Sequence, residues 1–465
     1  MNLTLRRVAE YVGGRLDGAA DDVLAVGYSI DSRTIEPGQL FFAIRGPRFD
    51  GHDFLGAAAA GGAAGAVVAA DSGASEPGLP CIRVDSTTRA LEALARAVRM
   101  KWGRGVIGVT GSVGKTTTKE MIAALLGLRY SVLRSRGNFN NELGLPLSLL
   151  GVGDRHDLAV LEMGMSAAGE IRKLAGIALP NEGVITNVNP VHLEFFSSID
   201  GIAAAKAELL EGLAPDKRAY LNGDDPRVRA MADGFDGEVV TWGTRPDATF
   251  RLTRVEDRGL DGTAFTVRHQ GRDMDFTSPL PGVHNVSNAA AAIGVAITHG
   301  VEWDLVCAGV GGFSAAGMRG VVRRYADGFV VVDDSYNSNP AALKEMMRFV
   351  GGLPGFRRRI LVAGEMLELG AESPRLHAEC GAAAHEAGFD LIFGIQGDAR
   401  ALIEGALRHG ADPESLVFAG SAEEAGALLI GALQEGDVIL IKGSRGVGLE
   451  KVADALNRSF SRVVC

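Results

Sequence analysis

The segment Gly108–Met121, GVTGSVGKTTTKEM, constrains this chain more than any other stretch of it. An apolar run, VIGV, leads into a glycine-bearing loop, and TTTKEMIAALL after the loop has the residues of a helix. Strand, tight loop and helix N-terminus in that order make a cradle for phosphate. Gly111 and Gly114 let backbone N–H groups face the oxygens, and the helix dipole adds positive potential. Thr110, Ser112, Val113 and Thr117 complete the cradle, Lys115 reaches the β- and γ-oxygens, and Thr116 is placed to ligate Mg²⁺. The usual G-x-x-x-x-G-K-[ST] spelling fails at its first glycine, where Val109 stands. The bland alternative is a helix-capping loop that happens to contain a lysine. The chain is therefore expected to build an α/β sheet around a nucleoside triphosphate, and the question is what that triphosphate drives.

At 465 residues the chain exceeds one core, and its length predicts about three domains. Hydrophobic residues at 46% and charged ones at 22% describe a globular chain. A net charge of −10, from 47 basic and 57 acidic residues, argues against nucleic acid or an anionic membrane as main partner. A local cluster of Lys and Arg still suffices for a small anionic substrate. Cys81, Cys307, Cys380 and Cys465 lie far apart with no C-x-x-C pair, which reads as reduced thiols. The opening MNLTLRRVAEYVGGRL lacks a signal-peptide core. Residues 54–70 are Ala- and Gly-rich and short of a membrane span, so a helix and a buried strand are expected there. A cytoplasmic, monomeric protein without stable membrane insertion is the expectation.

Three units are expected along the chain. Residues 1–84 carry short strand-like runs such as GQLFFAIRG and form a small α/β unit. Residues 85–314 open with a helix, STTRALEALARAVRMKW, and continue through GVIGVTG, DLAVLEMG and GVITNV as a central parallel sheet. Residues 315–465 alternate GFVVVDDSY, RRILVAGEM, DLIFGI and DVILIKGS with helices, the pattern of a second, Rossmann-like sheet. The glycines of GGFSAAG between the last two units suit a hinge for a closing domain.

The spelling TGSVGKTTTK resembles the ATP-dependent Mur ligases of bacterial cell-wall synthesis. SRGNFNNELGLPLSLL (Ser135–Leu150), LEMGMSAAGEI, NVNPVHLEFF, PGVHNVSNAAAAIGVA, VVVDDSYNSNPAAL, GEMLELG and LIKGSRGVGLEKV resemble, in order, the branch that adds D-alanyl-D-alanine. With DSRTIEPGQLFFAIRGPRFDGHDF at the front, the likeness covers essentially the whole chain. It implies ATP-dependent ligation of D-alanyl-D-alanine to UDP-MurNAc-tripeptide. The chemistry fits independently: a carboxylate is a poor electrophile, and the γ-phosphoryl of ATP converts it to an acyl phosphate that an amine can displace. Bringing two anions together needs metal and well-placed cations.

Glu162, ending the apolar strand LAVLEMG, can face the loop and share Mg²⁺ with Thr116. His192 follows the strand GVITNV; a lone histidine there is usually structural, and the resemblance implies a second metal ligand or an acyl-phosphate contact. Lys206 reads blandly as a helix-surface lysine, whereas the resemblance implies a carbamate made with CO₂, a carboxylate-like metal ligand. The family's usual glycine after this lysine is Ala207 here. Asn285 and Asn288 have amides suited to an adenine edge, or to capping the Ala-rich helix beside them. Arg319 and Asp334 correspond to phosphate and ribose contacts in the family. Tyr336, Asn337 and Asn339, with Asn138, Asn140 and Asn141, are expected at substrate, and Lys442 and Arg445 are either binding groups or surface charges. Ser32, Arg33, Arg48 and His52 are expected at a uridine diphosphate, the arginines being best suited to phosphate.

Two rivals have different signatures. The sister ligase that adds the third amino acid would carry a D-N-P-R-type motif, and ESPRLH lacks its Asn. A P-loop regulatory ATPase would turn over ATP without any amino-acid dependence and has no use for a second Rossmann-like unit.

Overall fold

The computed structural model describes residues 1–17, 20–190, 196, 198–214, 216–314 and 317–463. Its first sheet has five strands in the order Arg15–Asp17, Cys81–Val84, Gly65–Ala69, Gln39–Phe42, Gly27–Ser29. All pairings are parallel except that of Arg15–Asp17 with Cys81–Val84. Two-residue alternation sends Leu40, Phe42 and Val67 to one face and Phe41, Ala66 and Val68 to the other, so each face has its own core. The helix and buried strand expected over 54–70 are Leu55–Ala60 and Gly65–Ala69.

Helix Thr87–Trp102 joins this sheet to the next. Ser86 caps its start by accepting from the Arg89 N–H, and Gly103 ends it in the left-handed region at φ 69°. Its Leu91, Leu94, Val98 and Trp102 share one apolar core with Leu5, Val8 and Ile82 of the first unit and with Leu145, Leu149 and Leu174 of the central one. The two units are therefore fused through a common core.

The central sheet has nine strands. Val132–Arg134, Leu158–Glu162, Gly105–Thr110, Glu182–Ile185, Arg218–Asn222, Glu238–Gly243 and Phe250–Asp257 run parallel in that spatial order. Thr263–His269 and Arg272–Ser278 then follow antiparallel, so the sheet is mixed and not wholly parallel as expected. The reason is local: Gln270 and Gly271, both at positive φ (48° and 78°), make a two-residue hairpin turn too short for a crossover. Gly105–Thr110 lies where the order reverses, with Leu158–Glu162 on one side and Glu182–Ile185 on the other. Open α/β sheets bind ligands beyond the carboxyl ends of strands at such a point, and the glycine loop begins there.

The third sheet has six strands, in the order Val321–Arg324, Val330–Asp333, Asp437–Lys442, Arg358–Gly364, Leu391–Ile395, Leu416–Ala419. The four strands read from the sequence are its centre; the two short edge strands are additions, Val321–Arg324 being antiparallel. Among the described residues no helix is long and apolar enough to cross a membrane, and Cys81, Cys307 and Cys380 are free thiols.

Candidate active site

The glycine loop is held in shape by its neighbours. Gly111 adopts φ 149°, and a Cβ on it would stand 1.9 Å from Thr186 Oγ1. Gly114, at φ 84°, would press a Cβ to 2.4 Å from Asn288 Oδ1. Thr186 Oγ1 donates to the Val113 carbonyl at 2.7 Å, and the Asn187 amide brackets Val113, donating to its carbonyl at 3.0 Å and accepting its N–H at 2.9 Å. Ser112 is tied to Asn189, its hydroxyl accepting the Asn189 N–H at 2.8 Å. The polar run after Glu182–Ile185 thus clamps the cradle. Sequence reasoning passed over Thr186, Asn187 and Asn189, although three polar side chains straight after a buried strand were a visible signal.

Lys115 Nζ lies over the loop, donating to the carbonyls of Gly111 at 2.8 Å and Ser112 at 3.3 Å. Burial lowers its pKa against the opposing pull of Glu162. Val113, Thr116 and Thr117 line the cavity beside it. Thr110 is fully buried and its hydroxyl donates to the Met163 carbonyl at 2.8 Å, a strand-to-strand tie and not an open ligand group.

Thr116 Oγ1 donates to Glu162 Oε2 at 2.7 Å, while Asn140 Nδ2 donates to Glu162 Oε1 at 2.8 Å. Hydroxyl and carboxylate oxygens in direct contact at the mouth of a phosphate loop are the hard donors that Mg²⁺ takes. Among the described residues no group of three or more His, Cys, Asp or Glu surrounds a metal position. Lys206, in helix Ile199–Glu211, is 1% exposed, which excludes the helix-surface reading. Among the described residues its ammonium has no hydrogen bond or ion pair. Burial, and secondarily the charge of Lys115, push its pKa well below the ordinary lysine value. His192 lies outside the described residues.

A cavity of about 500 Å³ spans the loop and the third sheet. Ser112, Asn138, Asn140, Asn141, Glu162, Asn285 and Asn288 line it from the central unit, and Arg319, Asp334, Tyr336, Asn337, Asn339, Lys442 and Arg445 from the last. Lys442 is buried at the end of its strand; it pairs with Asp334 and donates to the Asn337 carbonyl at 3.0 Å, so it is no surface charge. Arg319 stacks on the Tyr336 ring at 4.0 Å and Arg445 approaches it at 5.7 Å. Several amides also have structural duties. Asn339 caps helix Pro340–Gly351, Asn141 Oδ1 accepts the Gly144 N–H at 2.9 Å just ahead of helix Gly144–Leu149, and Asn285 and Asn288 sit inside helix His284–Thr298. Asn288 accepts from the Thr118 hydroxyl at 3.2 Å and donates to Asn285 at 3.1 Å, while Asn285 donates to the Pro281 carbonyl at 2.8 Å.

The N-terminal candidates do not line this cavity. Arg33 is exposed and pairs bidentately with Asp31, and Arg48 is exposed. Ser32 is half-buried. His52 is buried with both ring nitrogens engaged: Nδ1 meets Asp50 Oδ1 at 2.5 Å, and Nε2 accepts the Ala69 N–H at 2.9 Å. It has no ring nitrogen left for a ligand, because a histidine between a loop carboxylate and a strand N–H fixes the loop to the sheet.

A strand–loop–helix phosphate cradle facing a second α/β sheet across a polar cavity, with Lys115 on one side and Arg319, Lys442 and Arg445 on the other, defines a nucleotide-dependent ligase of two facing sheets with a fused third unit. The chain belongs to the Mur ligase family. Family models match at residues 25–99 (Mur ligase family, catalytic domain), 109–296 (Mur ligase middle domain) and 318–445 (Mur ligase, glutamate ligase domain). The UDP-N-acetylmuramoyl-tripeptide–D-alanyl-D-alanine ligase of Bacillus subtilis (strain 168) is 36% identical over 459 residues, 98% of each chain. A crystal structure of MurF from Acinetobacter baumannii superposes with a TM-score of 0.87 at 28% identity, covering 98% of this chain and 99% of that one. The MurF ligase of Thermotoga maritima in complex with ADP gives 0.79 at 28% identity, covering 93% and 97%.

Proposed function

We propose that this chain joins UDP-N-acetylmuramoyl-tripeptide to D-alanyl-D-alanine at the expense of ATP, making the pentapeptide precursor of peptidoglycan. The observation that carries the reading is the cavity itself, in which Lys115, Thr116 and Glu162 face Arg319, Asp334 and Lys442; full-length relatives bear the name of this ligase. The tripeptide carboxylate attacks the γ-phosphorus, an O–P bond forms as the bond to ADP breaks, and an acyl phosphate results. The dipeptide amine then forms the C–N bond, phosphate leaves with the C–O bond, and the amine proton is released. Lys115 swings from its loop carbonyls to the phosphate oxygens, and Arg319 leaves the Tyr336 ring to meet charge developing on the transferred group.

Thr116 and Glu162 would hold Mg²⁺, whose chemistry there is neutralisation of phosphate charge. We assign Lys206 as a carbamate. Its amine is buried, has no partner among the described residues, and is shifted by that burial toward the neutral form, the one that adds to CO₂ with loss of a proton; the product would be a carboxylate-like metal ligand. His192 is assigned as a further ligand on the resemblance. Asn285 and Asn288 are assigned to the adenine side and Asp334 to the ribose. The dipeptide is placed against Tyr336, Asn337 and Asn339, with the tripeptide near Asn138, Asn140 and Asn141, and the uridine diphosphate is placed on Arg33 and Arg48. Units 1–84, 85–314 and 315–465 correspond to acceptor binding, ATP binding and closure, in a cytoplasmic monomer. The test is phosphate release from ATP with UDP-MurNAc-tripeptide and Mg²⁺: release with D-Ala-D-Ala and none with single amino acids is expected. Equal release without any amine would overturn the assignment in favour of an ATPase.

A further inference from the structure

Lys119 lies one helical turn beyond Lys115, on the same face of helix Lys115–Leu126. Its side chain is fully buried. A buried ammonium is tolerated only when charge-paired and hydrogen-bonded, and this one is saturated. It donates to the Ser135 carbonyl at 2.9 Å and the Gly137 carbonyl at 3.2 Å, and it pairs with Glu120 at 3.0 Å. Those contacts use its three protons. Glu162 Oε2 lies a further step away at 3.7 Å, too far for a hydrogen bond and close enough for strong Coulomb attraction. The carboxylate oxygens therefore stay with Thr116 and Asn140, while part of their charge is offset from behind. The same ammonium fixes the backbone of Ser135 and Gly137. Ser135 Oγ in turn accepts the Glu162 N–H at 2.9 Å, and Asn140, three residues after Gly137, donates to the carboxylate.

We infer that Lys119 is a positioning residue that lowers the attraction of Glu162 for a free divalent cation and locks the asparagine loop onto the nucleotide helix. The metal-facing carboxylate then takes up its ion chiefly together with nucleotide phosphates, which bring the additional negative charge. This rests on the metal reading of Thr116 and Glu162.

The experiment is Mn²⁺ binding to nucleotide-free enzyme, read by electron paramagnetic resonance. Lys119→Met removes the cation and keeps the apolar stem, and is expected to tighten Mn²⁺ by on the order of ten-fold. Glu120→Gln leaves Lys119 with Glu162 as its main counter-charge, and is expected to weaken Mn²⁺ by a similar factor. A purely structural role predicts weakening in both, so the sign separates the two accounts. Unchanged or weaker binding in Lys119→Met overturns the inference; should that variant not fold, unchanged binding in Glu120→Gln does so. Glu162→Gln is the control: if it leaves Mn²⁺–ADP binding intact, the metal reading fails, independently of Lys119.

Discussion

The ammonium of Lys115 donates to the carbonyl of Gly111 at 2.8 Å, so the cradle's own backbone holds the cation that ATP is to claim. The loop that presents N–H groups to phosphate also presents two carbonyls to Lys115, and exchange of those carbonyls for phosphate oxygens is a short rotation of a flexible side chain. Replacing Lys115 with Ala is expected to lower turnover by about 10²-fold or more, since a group aimed at developing charge is removed. The melting temperature should stay near that of the wild type, because the bonds lost are to the loop alone. Near-normal turnover in a steady-state assay would contradict the role.

Lys206→Ala is expected to abolish ligation, and high concentrations of short carboxylic acids should partly restore it by filling the vacated position. Wild-type enzyme in ¹³C-bicarbonate should show a carbamate resonance that the variant lacks. An unaltered turnover in Lys206→Ala would remove the residue from the mechanism.

His377 gives a pH prediction. It is fully buried; Nε2 accepts the Met366 N–H at 2.9 Å and Nδ1 meets the Ser373 carbonyl at 2.8 Å. Burial lowers its pKa below the ordinary imidazole value, which is about 6.5. The unfolded chain therefore binds the proton first as pH falls, so this contribution to stability is full above about pH 6.5 and declines below it. Urea melts between pH 5 and 8 should show that decline, and His377→Gln should flatten it. An equal slope in both proteins would exclude His377 as its source.

The cavity is lined by Lys115, at the start of helix Lys115–Leu126, and by Arg319, just before strand Val321–Arg324, and the chain between them runs through the glycines 311, 312 and 317. An ATP analogue with UDP-MurNAc-tripeptide is expected to reduce the radius of gyration in small-angle scattering, as closure shuts water from the acyl phosphate. An unchanged radius would argue for a static cleft.

What could be read from the residues was what depends on local pattern. The phosphate loop, the strand ends carrying Glu162 and Asp334, and the alternation of the third sheet are written in consecutive residues. The hairpin Thr263–Ser278 was missed because its strands are polar on one face and its turn is only Gln270–Gly271. Lys206 and Lys119 look like helix-surface lysines in sequence, since nothing local shows that both faces of their helices are covered. His52 was expected at a uridine diphosphate, and only the fold reveals the Ala69 N–H that its Nε2 accepts.

The central claim is that this cavity activates a carboxylate by phosphorylating it. UDP-MurNAc-tripeptide labelled with ¹⁸O in the reacting carboxylate tests it directly, through mass analysis of the phosphate released on ligation to D-Ala-D-Ala. Transfer of one ¹⁸O to each phosphate is the predicted result, because the oxygen bridging carbon and phosphorus leaves with phosphorus. Phosphate free of ¹⁸O, with one label kept in the new peptide carbonyl and the displaced one recovered in water, would contradict it.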